Sequence, residues 1–137
     1  MKLACGDHSF PMLNHEATID LIAGIGFEGF DLALMGNRSH IRPEHIRSDI
    51  ASAAQTIGKS IRRRGLEISD VFCIPWTTFE VLAPNHPDEE ERIASRKLFD
   101  DLLDFTLRIK GPGITMVPGI DFPTLGHDAS LELAGQE

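Results

Sequence analysis

The sequence predicts an α/β fold in which parallel strands are joined by crossover helices. Three observations predict it. Short apolar segments alternate with longer amphipathic ones four times over, Gly and Pro punctuate the junctions, and no low-complexity stretch or linker interrupts the series. A strand returns parallel to its predecessor only through a connection long enough to hold a helix, so this alternation implies right-handed crossovers. At 137 residues and 42% apolar content the chain has the size of one domain, residues 1–137, and enough apolar surface to bury a core.

"KLACG" (residues 2–6) reads as the first strand, broken by Gly6 and then Pro11. Asn14 is a strong helix cap, and in the following "HEATIDLIAGIG" Ile19, Ile22 and Ala23 share one side. "FEGFDLAL" (27–34) is the second strand and "MGNRSHI" a loop. Pro43 opens a helix, as proline does at a first helical position. Within it Ile46, Ile50, Ala53, Ala54, Ile57 and Ile61 recur at steps of three and four, which makes one apolar stripe, and Gly65 ends it.

"LEISDVFCI" (66–74) is the third strand, followed by the long connection "PWTTFEVLAPNHPDEEE". Asp88 caps a third helix that runs to about Lys110, with Glu89, Glu90 and Glu91 in the first turn, where the helix dipole favours them. Its buried stripe is read as Ile93, Leu98 or Phe99, Leu102, Phe105 and Ile109. Gly111-Pro112-Gly113 breaks it, "ITMVPG" (114–119) forms a fourth strand, and a last helix begins near Ala129.

The net charge of −8 argues against a phosphate-backbone partner, whose affinity rests on clustered Lys and Arg. The basic run Arg62-Arg63-Arg64 sits at a helix C-terminus, where cations offset the dipole. Cys5 and Cys73 lie in apolar stretches and read as reduced thiols. "MKLACGDHSFP" lacks a signal-peptide apolar region, and no apolar run reaches membrane-spanning length. The expectation is a cytoplasmic protein with neither a nucleic-acid nor a membrane partner.

"GIGFEG" places Gly24, Gly26 and Gly29 in the G-x-G-x-x-G spacing of dinucleotide sites. That chemistry needs a strand before the glycines and a helix after them, so that helix amides meet a pyrophosphate. Here the order is reversed, so the glycines are expected to stop the first helix and turn the chain into the second strand.

In parallel α/β architectures ligands gather beyond the C-terminal ends of the strands. His8, Cys73 and Trp76 there, together with Asp31 inside the second strand, are the candidate substrate-binding set, and each has a structural alternative. His8 is either a pocket residue or a hydrogen-bonded loop histidine. Asp31 either points into a lumen or binds a neighbouring amide, Cys73 either lines the pocket or packs, and Trp76 covers either sugar carbons or the core edge. His86 shapes the turn before the third helix; His15, His45 and His127 lie near helix starts and read as solvated or capping. No set of four residues has metal-ligand spacing, and no nucleophile, base and orienter fall in order, so catalytic and metal residues are left unassigned.

"GFEGFDLALMGNRSHIRPEHI", "ISDVF", "LAPNHPDEEER" and "MVPG" together resemble the sugar phosphate isomerase/epimerase branch of the xylose isomerase-like TIM barrels, over the whole chain. The stretch "APNHPDEEER" is the most specific part. The resemblance implies a (βα)8 barrel of about 250 residues, of which this chain holds about four units. It is thus expected to form the N-terminal half of such a barrel, either cut from a longer reading frame or completed by another copy.

The resemblance also implies a carbohydrate substrate and a divalent metal, often Mn²⁺, held by carboxylates and a histidine on the later strands. Those ligands are expected to lie outside this chain. The chemistry implied is metal-assisted proton transfer next to a carbonyl. His8, Cys73 and Trp76 are then expected at the pocket mouth and Asp31 lower in the lumen. Some branches of the superfamily cleave DNA at abasic sites with extra histidines, to which His40 and His86 invite comparison; the acidic charge argues against that activity here.

Four of eight strands leave open edges and an inner face that the rest of a barrel would cover. Leu3, Cys5, Phe30, Val71 and Val117 are the candidates for that face, and self-association through it is expected. Two readings follow: half of an isomerase or epimerase that is inactive alone, or a non-catalytic half-barrel association module.

Overall fold

In the computed structural model, which describes residues 2–36, 38–75 and 78–136, strands β1 (Ala4–Gly6), β2 (Gly29–Met35), β3 (Glu67–Ile74) and β4 (Ile114–Met116) form one sheet. They pair in chain order, and every pair is parallel. The helices are α1 (His15–Ile25), α2 (Pro43–Arg47), α3 (Ile50–Arg62), α4 (Glu89–Ile109) and α5 (His127–Ala134). This is the strand–helix alternation that the sequence predicts.

The caps act as their chemistry requires. Asn14 Oδ1 accepts the Ala17 N–H at 2.9 Å and so begins α1. Gly26, in the left-handed region at φ 99°, ends it and donates its N–H to Ala23 and Ile22 carbonyls. Gly29 serves a different need: a Cβ there would lie 2.7 Å from the Ala4 Cβ, so only glycine lets β1 come alongside β2.

The long helix expected after Pro43 is two. Asp49 interrupts it, accepting the Ser52 N–H at 3.0 Å and starting α3 afresh. Ile46, Ala54, Ile57 and Ile61 are nonetheless all buried in one core. In α4, Leu98, Leu102, Phe105 and Ile109 form the buried stripe, whereas Ile93 is 51% exposed and Phe99 lies outside the core. The last helix starts at His127 and ends before Gly135.

One core joins the sheet to the helices: Ile19 and Ile22 from α1, Phe30, Leu32 and Leu34 from β2, Val71 and Cys73 from β3, and the α3 and α4 stripes. Phe30 and Val71, expected on the open inner face, are therefore on the helix side. The reason lies in strand phase, since a one-residue slip exchanges the two faces. Ser69 is a bulge: Phe30 pairs with Ile68 but Asp31 pairs with Asp70, so Ser69 has no partner across the strands. The opposite face accordingly carries Asp31, Asp70, Phe72 and Ile74, none of them fully buried.

Arg62 and Arg64 hold neighbouring elements together as well as ending α3. Arg62 Nη1 donates to the Ile109 carbonyl at 3.1 Å, and Arg64 pairs with Asp20 at 2.6 Å and Glu16 at 2.9 Å. No helix among the described residues is long and apolar enough to cross a membrane.

Candidate functional site

The C-terminal end of β1 and β2 gathers the chain's most unusual polar chemistry. β1 ends at Gly6, and the next residue, Asp7, turns its carboxylate toward β2, where Oδ1 accepts the Ala33 N–H at 3.0 Å. The side chain thus takes a ladder hydrogen bond that the strand no longer offers. Asp7 is fully buried. Its other oxygen, Oδ2, has no hydrogen-bond partner and faces two histidines. His40 Nδ1, from the loop after β2, lies 3.6 Å away, and His15 Nδ1, from the first position of α1, lies 3.8 Å away.

The histidines are held from behind. His40 Nε2 donates to the Leu13 carbonyl at 2.8 Å, which leaves Nδ1 as the nitrogen that meets Asp7. The His15 ring stands edge-on to Phe30 at 6.0 Å and tilts against His40 at 5.8 Å. Neither ring nitrogen of His15 has a hydrogen-bond partner.

Burial dominates the titration of both groups. It pushes the Asp7 carboxyl up, against the opposing pull of the Ala33 N–H and the His40 charge. It pushes His15 down to about 4, helped by the neighbouring His40 and opposed by Glu16. A neutral imidazole is therefore the resting form of His15 at neutral pH.

The sequence-predicted substrate residues are dispersed. His8 is exposed, its ring packed where a Cβ on Gly6 would sit and 6.3 Å from the Phe72 ring. Asp31 is half-buried on the open face, where its Oδ1 accepts the Ser69 hydroxyl at 2.5 Å. Cys73 is not at a pocket mouth: it is fully buried in the core shared with Leu34, Val71 and Leu98. Burial alone raises its thiol to about 12, which keeps it protonated and inert. Trp76 lies outside the described residues. His86 does shape the turn before α4: its Nδ1 accepts the Asp88 N–H at 3.1 Å.

The convergence of Asp7, His15 and His40 has no contiguous motif in the sequence. Asp7 follows the first strand and His40 the second, but His15, at a helix start, read as solvated or capping. The signal available was an aspartate after one strand, a histidine opening the next helix and a histidine beyond the next strand. Cavity volume does not locate this site. A cavity of about 450 Å³ lies elsewhere, between α4, the end of β4 and α5, lined by Ser95, Phe99, Met116, Val117, Pro118 and Ala134.

No family model matches the chain, and a search of curated proteins finds no match. Solved structures do match. A D-psicose 3-epimerase determined in the presence of D-fructose superposes with a TM-score of 0.69 at 16% identity. The D-psicose 3-epimerase of Clostridium cellulolyticum H10, determined with D-tagatose, gives 0.71 at 14% identity. Both alignments cover 99% of this chain and 45% of the other. The probable 3-DHS dehydratase AsbF of Bacillus anthracis, involved in petrobactin synthesis, gives 0.58 at 15% identity, with 99% and 49% covered. The chain thus spans about half the length of the structures it matches. At these identities the likeness is one of fold: an incomplete (βα)8 barrel of four strand–helix units.

Proposed function

We propose that this chain is the N-terminal, substrate-lining half of an isomerase or epimerase acting on a sugar or sugar phosphate. The observation that supports the reading is the open inner face of a sheet whose fold is similar to about half of a D-psicose 3-epimerase, with His8, Asp31 and Phe72 on or beside it. A hydroxyl-rich substrate needs hydrogen-bonding groups beside an apolar surface for its C–H faces. His8 supplies a ring nitrogen, Asp31 a carboxylate already oriented by Ser69, and Phe72 an aromatic wall.

A divalent ion, when bound, supplies polarisation of the substrate's carbonyl and hydroxyl oxygens. Among the described residues the inner face does not bring three donors together; the converging group is Asp7, His15 and His40, at the strand ends and on the helix side. The proton-moving carboxylates and their metal belong, in this reading, to barrel units beyond the four present, in a cytoplasmic enzyme.

Binding is the property to test. Amide NMR of the purified chain titrated with D-fructose, D-tagatose and a phosphorylated ketose should show saturable shifts at His8, Asp31 and Phe72. In D₂O with Mn²⁺, deuterium should not enter the sugar. Shifts absent from the inner face at any ketose concentration would overturn the reading.

The alternative is a half-barrel association module, favoured by the open sheet edges at β1 and β4 and by Leu3, 56% exposed beside β1. Light scattering of the chain, with and without ketose, separates the two. A ketose-indifferent dimer favours association, and a monomer with inner-face shifts favours the enzyme half.

A further inference from the structure

We infer that Asp7, His15 and His40 form a binding site for a divalent transition metal of the zinc class, at the C-terminal end of β1 and β2. The inference does not rest on the proposed sugar chemistry and holds whether or not the chain binds a ketose.

The first argument is unmet bonding capacity. Buried polar atoms in folded proteins are almost always partnered, because an unpaired one costs about 1–3 kcal/mol. Here Asp7 Oδ2, His40 Nδ1 and both His15 nitrogens are buried without a hydrogen-bond partner, and three of these residues' donor atoms lie within 4.8 Å of one another. The side chains of Asp7, His40 and His15 are 0%, 9% and 15% exposed, so bulk solvent reaches them little. Such a concentration of unpartnered polar atoms is costly unless a further group sits among them and bonds to them.

The second argument is distance. A proton shared between Nδ1 and Oδ2 draws the two to about 2.7–2.9 Å. Two ligands of one tetrahedral Zn²⁺, each at ~2.1 Å, stand ~3.4 Å apart. The observed separations from Asp7 Oδ2 are 3.6 Å to His40 and 3.8 Å to His15. They are too long for a hydrogen bond and close to the edge of a metal tetrahedron.

The third argument is orientation. Metal-binding histidines characteristically donate their second nitrogen to a carbonyl or carboxylate, which fixes the tautomer and aims the lone pair. His40 does this through Leu13, and its Nδ1 faces the cluster. Asp7 Oδ1 is likewise tied to Ala33, which aims Oδ2. Two imidazoles and one carboxylate suit zinc-class ions; magnesium and calcium prefer oxygen ligands throughout. Three protein ligands leave one tetrahedral position for a water or a substrate oxygen.

An ion here would tie together the end of β1, the start of α1 and the loop after β2, so its binding adds to folding stability. Co²⁺ titration of the purified chain, followed by visible absorption, tests this. The expected result is one equivalent bound with the intense bands of tetrahedral Co²⁺, bleached by Zn²⁺, together with a rise in Tm on adding Zn²⁺. His15→Gln and Asp7→Asn should abolish the bands and the rise; His127→Gln should leave both unchanged. Circular dichroism checks each variant's fold. Should Asp7→Asn fail to fold, His15→Gln carries the test, because the His15 ring makes no hydrogen bond to lose. A folded chain that gives no tetrahedral bands overturns the inference, as does binding that survives His15→Gln.

Discussion

Among the described residues, histidine meets an aspartate carboxylate at the start of α5 and at the end of β1, and the two places could hardly differ more. At the start of α5, His127 Nδ1 lies 2.9 Å from Asp121, with both side chains more than 60% exposed. At the end of β1, Asp7 meets His15 and His40 at 3.6–3.8 Å with all three largely buried. The closer pair is the less informative one. In water an exposed pair gains little, its charges are screened, and its spare lone pairs are met by solvent. The buried trio has no such recourse, and its longer distances mark groups spaced around something other than a proton. Proximity alone does not identify a site; unmet bonding capacity in a dry place does.

Removing the apolar wall behind the trio gives the largest effect. Phe30 is fully buried and carries the His15 ring edge-on. Phe30→Ala should cost about 3–5 kcal/mol in denaturant unfolding and weaken Zn²⁺ binding along with it. Loss of stability with metal affinity intact would break the link between core and cluster.

The pH dependence of the metal-free chain is next in size, and its two contributions have opposite signs. His15 is held near 4 rather than at its ordinary 6.5. The unfolded chain therefore takes up its proton first, and stability present above pH 6.5 is lost as pH falls toward 4, by up to about 3 kcal/mol. Asp7 is raised, so its contribution is present below its ordinary 3.8 and is lost as pH rises through its folded value. His40, Glu16 and Arg64 also act on these groups. Asp7→Asn should leave the chain losing stability on acidification, and His15→Gln should leave it gaining. Urea midpoints measured between pH 4 and 7 check this, and slopes of the same sign in both variants would contradict it.

Smaller effects sharpen the contrast. Asn14→Ala removes the cap that sets the start of α1, and with it His15, at about 1 kcal/mol by thermal unfolding. His127→Gln should move stability by no more than about 0.5 kcal/mol, since its partner is a solvated carboxylate.

The elements of the fold were largely legible in the sequence because each is fixed locally. Asn14, Asp88, Gly26 and the Ile57–Ile61 stripe act over one or two helical turns. Strand faces were not legible. Alternation sets a phase only relative to a register, and the bulge at Ser69 is a property of two strands together. Cys5, Phe30 and Val71, expected on the inner face, therefore pack on the helix side instead. Nor was the trio legible: Asp7 and His40 are separated by a strand, a helix and a loop, and His15 becomes buried only when α1 packs against Phe30. The split between α2 and α3 did have a local signal, Ser48-Asp49, which the unbroken apolar stripe concealed.

The most direct measurement is a crystal structure of the unmutated chain grown with Zn²⁺, with anomalous scattering recorded at the zinc edge. The expected map shows one dominant peak about 2.0–2.2 Å from Asp7 Oδ2, a His15 ring nitrogen and His40 Nδ1. Density confined to the surface pair Asp121–His127, with the space among the three buried side chains closed by a direct hydrogen bond, would contradict it.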